Sequence, residues 1–138
     1  MLTNPLHTIR PGVFYIHKLD HRNRSPRKSQ WTIPENEERR VFSHAYAQGW
    51  YTDTTGWGLR LVNGLVCDVG TSVDQIRHLF IAKFVDGNSK SQWHGYPADH
   101  VMNQQDLPDV TLLRTWSTDG YLSFAKVRKI VRRQPCVL

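Results

Sequence analysis

The stretch Thr32-Ile-Pro-Glu35, an apolar repeat behind it and then a glycine constrain this chain more than any other segment. Thr32 and Glu35 stand three apart, the spacing of a capping box, and Pro34 falls in the first turn, where a missing N–H costs no hydrogen bond. Glu35, Glu37 and Glu38 then occupy the positive end of the helix dipole. Val41, Phe42, Ala45 and Tyr46 recur at helical spacing, and Gly49 supplies a stop. The pattern predicts a helix from Ile33 to Gln48. Its apolar stripe has to be laid on a second element.

That element reads as a sheet. Leu59 to Val62 and Leu65 to Val69 are short apolar runs joined by Asn63-Gly64, the pair that adopts the positive φ angles of a two-residue hairpin. Gly12 to Leu19 is β-branched and aromatic and reads as another strand. Trp50 to Gly58 reads as turn-rich and aromatic. Ser72 with Gln75 repeats the capping-box spacing, so Leu79 to Val85 is either the end of one long helix or a buried strand behind a short one. Period alone does not separate these, and the second is preferred. Ser91 to Asp106, holding Gly95 and Pro97, reads as a loop. A helix is predicted to start at Leu107-Pro-Asp109, with Leu112, Leu113 and Trp116 on one side, and to break at Asp119-Gly120. Tyr121 to Arg133 reads as a final amphipathic helix, with Phe124, Val127, Ile130 and Val131 in one arc and cations on the remaining faces. The expected fold is α+β: a single compact domain over residues 1–138, with a small, mostly antiparallel sheet packed by three or four helices and a basic helix at the C-terminal end.

The 138 residues are 39% hydrophobic, enough for a real core in one domain, which argues against wholesale disorder. No apolar run approaches the roughly 18 residues of a membrane span, and the first twenty residues carry no secretory pattern. Two cysteines are too few for a disulfide framework, so a reducing, cytoplasmic setting is the default. The net charge of +6 is unevenly placed. Residues 1–28 carry six Lys or Arg against one acid, residues 29–120 seven against eleven, and residues 121–138 five against none. Two cationic ends around an acidic middle create local positive potential, which attracts polyanions.

Three sets of residues could carry function. The first is cationic: Arg22, Arg24, Arg27 and Lys28 on a mobile basic loop from His21 to Gln30, with Lys126, Arg128, Lys129, Arg132 and Arg133 on the last helix. Together they would bind nucleic acid or an acidic protein surface, provided head and tail form one surface. A helix-turn-helix around Gly120 fits poorly, because Ser123 and Lys126 fall where apolar residues belong. The second set is Trp93-His-Gly-Tyr-Pro-Ala-Asp-His100. His94 and His100 could move protons and Tyr96 could stabilise charge, the inventory of a metal-independent ribonuclease or toxin-like effector. The third is a patch of Trp50, Trp57, Trp93 and Tyr96, which, if exposed, would anchor a protein partner as an adaptor or inhibitor.

Seven histidines and two cysteines show no zinc-binding spacing, and no metal or other cofactor is expected. Cys67 reads as a small strand hydrophobe. Cys136, close to Arg132 and Arg133, could have a lowered thiol pKa. Phosphate-loop, dinucleotide and serine-hydrolase motifs are all missing. The leading expectation is a small non-enzymatic binding protein for nucleic acid or another polyanion, with oligomeric state left open.

Overall fold

The computed structural model describes residues 4–138. In chain order the strands are β1 (Leu6–Arg10), β2 (Val13–Ile16), β3 (Gln30–Trp31), β4 (Tyr51–Thr52) and β5 (Thr55–Val62). They continue as β6 (Leu65–Cys67), β7 (Gly70–Thr71), β8 (His78–Leu79), β9 (Ile81–Asp86) and β10 (Gln92–Pro97). The helices are α1 (Glu35–Ala47), α2 (Val110–Thr118) and α3 (Phe124–Val131). Seven strands form one sheet in the order β1-β2-β10-β9-β5-β4, with β6 paired to β5, and β3-β7-β8 form a second, smaller one. Every pairing is antiparallel except β2 with β10. None of the described helices is long and apolar enough to cross a membrane.

The helix at 33–48 forms as Glu35–Ala47 and buries Val41, Phe42 and Ala45, the predicted stripe. Its start differs from the capping box. Pro34 is the N-cap residue and its carbonyl accepts from the amides of Glu37 and Glu38, while the Thr32 amide donates to Val69 O, just before β7. Gly49 has φ +72° and ends the helix as expected. The Asn63-Gly64 turn also forms, with φ of 53° and 79°.

Where α1 crosses β5 a side chain is excluded. A Cβ on Gly58 would stand 3.0 Å from both Phe84 and Val41 and 3.3 Å from Ala45. The Phe84 ring likewise fills the space above Gly95, its cross-strand partner. Tyr15, Phe42 and Phe84 pack together on this face, with ring centroids 5.1 to 6.0 Å apart. On the opposite face of the pleat, Trp57, Lys83 and Tyr96 sit in register across β5, β9 and β10. Helices α2 and α3 add Leu113, Trp116, Val127 and Ile130 to the core, with Trp116 edge-on to Trp50 at 5.5 Å.

Four local expectations are corrected. Residues 92–97 are strand β10, not loop: Gly95 is there because Phe84 leaves no room for a Cβ, and Pro97 closes the strand. The segment behind Ser72 is a tight polar turn rather than a helix. Ser72 Oγ accepts from the Arg77 amide and donates to Asp74, and Gln75 adopts φ +63°. Residues 79–85 therefore form strands β8 and β9 without a preceding helix. Trp50–Gly58 is largely the β4–β5 hairpin, and the last helix is shorter than Tyr121–Arg133, beginning where Ser123 caps the Lys126 amide.

Candidate functional site

The cations of the chain's two ends divide into those consumed by the fold and those left to solvent. Arg22 belongs to the first group. Its Nη2 and Nε lie 2.6 and 3.1 Å from Glu38 Oε1, and Nη1 donates to Ile33 O at 2.9 Å. Glu38 is fully buried and accepts on Oε2 from the equally buried Tyr15 hydroxyl. His17 Nδ1 stands 3.1 Å from Glu38 Oε1, off the hydrogen-bond line. Arg39 Nη1 donates to His17 Nε2 at 2.9 Å. The Arg22 guanidinium thus neutralises a carboxylate inside the protein and is not free to meet a phosphate, which corrects its expected role.

Arg133 is consumed as well. Its Nε donates to His100 O at 2.9 Å and its Nη2 to Val101 O at 3.0 Å, tying the end of α3 to the exit of β10. Lys126 Nζ donates to Leu138 O at 3.1 Å. Six of the nine expected binding cations remain exposed: Arg24, Arg27 and Lys28 on the loop, Arg128 and Lys129 on α3, and Arg132 at its C-cap. The loop itself is tied down internally, since Gln30 is buried, accepts from the Arg24 amide and donates to Asp20 O.

Two residues of each exposed set line a groove. Arg27 and Lys28 border a polar depression of about 280 Å3 with His21, Ser29, Tyr96, Asp99 and Asp106. Arg128 and Arg132 border a groove of about 420 Å3 between α2 and α3, together with Arg114 of α2. These grooves share no lining residue. The α2–α3 groove is the more strongly cationic. Among the described residues no carboxylate lies within 4.0 Å of Arg114, Arg128 or Arg132. Phe124 at the head of α3 is 71% exposed and Val131 41%, so apolar surface lies among the guanidinium groups. Neither Arg114 nor Phe124 stands out in the sequence as a binding residue. Arg114 sits in the acidic middle of the chain, where segment charge hides it, and Phe124 reads as part of the apolar seam.

The side chains of His94, Tyr96 and His100 are each held by different neighbours. His94 packs against Gly87 at the β9–β10 turn, where burial, followed by the nearby Lys18 and His21, lowers its pKa. His100 Nε2 donates to Gln134 O at 2.8 Å, in the C-terminal segment. Tyr96 lies between them in sequence, stacked on His21 at 5.0 Å, and its hydroxyl donates to buried Asp106 at 2.7 Å. Burial and that carboxylate raise the phenol well above its ordinary range. Asp106 also accepts from the Asp99 amide and lies 3.8 Å from Lys83 Nζ, while Arg77 grips Asp99 at 2.9 and 2.6 Å. Each acid in this cluster already has its partner.

The indoles of Trp50, Trp57 and Trp93 are only 4%, 7% and 3% exposed, so they belong to the core and do not form an anchor patch. Burial raises the Cys136 thiol pKa, against the opposing pull of Lys126 and Lys129, which corrects the expectation of a lowered value. Among the described residues no group of three or more His, Cys, Asp or Glu side chains is placed to hold a metal ion. Neither a protein-family model nor any curated protein or solved structure matches the chain.

Proposed function

We propose that this protein is a small nucleic-acid-binding domain, without catalytic activity of its own, and that the α2–α3 groove makes the principal contact. The observation that carries this reading is the convergence of Arg114, Arg128 and Arg132 on one groove with no carboxylate near them. Arg128, in the last turn of α3, and Arg132, its C-cap, are four residues apart, a spacing at which like charges repel. An anion between them relieves that repulsion. A phosphate backbone supplies repeated anions, and a planar guanidinium grips each of them through two parallel hydrogen bonds. Arg24, Arg27 and Lys28 form a second, weaker patch that adds long-range attraction for the same polyanion.

The test is a salt titration of binding to a fluorescent oligonucleotide. Each phosphate contact contributes about 0.9 to the slope of log K against log salt on B-DNA and about 0.7 on a single strand. Changing Arg114, Arg128 and Arg132 together to Ala should weaken binding and flatten the slope by roughly 2. Binding that is unchanged in strength and salt dependence would refute the assignment. All three side chains are exposed, so the variant should fold normally.

A further inference from the structure

We infer that the α2–α3 groove takes a single-stranded nucleic acid and that Phe124 is the platform on which one of its bases stacks. The inference rests on the nucleic-acid reading above and adds the class of ligand. Phe124 and Arg128 on α3 and Arg132 at its C-cap are spaced four residues apart and all line the groove. At 1.5 Å per residue they rise in steps of about 6 Å along one helix face. The order along that face is therefore one ring followed by two guanidinium groups.

Two features favour a single strand over a duplex. The cations line a concavity that α2 closes on the far side with Val110 and Arg114, rather than projecting from a free ridge. A helix that reads duplex DNA has to enter a major groove about 12 Å wide, whereas α3 has only eight residues and is flanked by α2 on its cationic side. The volume of about 420 Å3 instead matches pockets that hold one small organic ligand, of order 300–1,000 Å3, and so admits one or two splayed nucleotides. The second feature is Phe124 itself. A Phe with 71% of its surface in water contributes little to the core, and an aromatic ring beside unpaired cations is the arrangement that binds bases irrespective of sequence. Bases of a duplex are already stacked on one another and leave no free face for the ring.

The experiment compares a single-stranded oligonucleotide, the same sequence as a duplex, and heparin, each with wild type, Phe124→Ala and the Arg128→Ala/Arg132→Ala double variant. Phe124→Ala should weaken the single strand roughly fivefold or more, leave the salt slope unchanged and leave heparin binding unchanged. The double arginine variant should flatten the slope for all three ligands. Wild type should prefer the single strand to the duplex at equal salt. Equal or tighter duplex binding, or no effect of Phe124→Ala on the single strand while the arginine variant weakens it, overturns the stacking inference and leaves the nucleic-acid reading standing. Heparin binding without binding of either oligonucleotide overturns both. Because Phe124 is exposed, an unchanged melting temperature in the alanine variant separates lost stacking from lost structure.

Discussion

Replacing Arg22 by Met tests whether the fold, rather than a ligand, owns that guanidinium. The change removes two N–H contacts to Glu38 Oε1 and one to Ile33 O. It leaves a carboxylate with no solvent exposure facing only Tyr15 and His17. Breaking a buried pair by deleting one partner typically costs about 3–5 kcal/mol. Arg22 is itself 18% exposed, and the Tyr15 hydroxyl still donates, so the cost here should be about 2–3 kcal/mol. For a 138-residue domain each kcal/mol shifts Tm by about 3–4 °C, which gives a loss of about 6–12 °C. Urea melts of Arg22→Met, Glu38→Gln and the double variant measure it. The double variant should recover at least about 1 kcal/mol relative to the sum of the single changes, because the uncompensated charge is gone. Oligonucleotide affinity of Arg22→Met, measured below its melting range, should match wild type. A Tm change under about 2 °C with additive single effects would show that the pair is not desolvated, and the division of cations drawn here would fail.

Further outcomes concern pH, packing and thiol chemistry. Burial lowers the pKa of His94 and His44, and with Arg39 that of His7, so the folded protein binds these protons less tightly than the unfolded chain. Their stabilisation is present above the unfolded value near 6.5 and is lost as pH falls below it, and urea melts between pH 7.5 and 5 should show a smaller decline for His94→Gln; an unchanged decline would refute the burial argument. Gly95→Ala forces a methyl group into the Phe84 ring and should cost about 1–3 kcal/mol in the same assay. At neutral pH, Cys136 should react more slowly with a thiol reagent than the same reagent reacts with a free cysteine peptide, and faster labelling would contradict its burial.

What could be read from the residues alone was whatever carries its own local signal. The helix over 35–47 and the Asn63-Gly64 hairpin are specified by neighbours in sequence, and both formed close to their expected bounds. The mixed α and β content followed from them. Strand β10 was illegible for the opposite reason. Gly95 and Pro97 look like loop signals, and only the position of Phe84 on the adjacent strand explains the glycine. Strand β1 gave no warning either, because it is an edge strand held by one partner. For the site, summing charge by segment located the cations and not their partners. Glu38 reads from sequence as a first-turn acid complementing the helix dipole. In the fold it faces inward and takes Arg22 out of circulation. Arg114 reads as a lone base among acids, yet the α2–α3 packing brings it beside Arg128 and Arg132. Pairing across the fold, which no segment sum contains, decided which charges remained available.

The most direct measurement is amide chemical-shift mapping by NMR as a short single-stranded oligonucleotide is added at low salt. The largest changes should fall on residues 110–118 and 123–132, with smaller ones at Arg24, Arg27 and Lys28 and none at Arg22. Changes centred on His21, Tyr96 and Asp106 instead, or no changes at all, would contradict it.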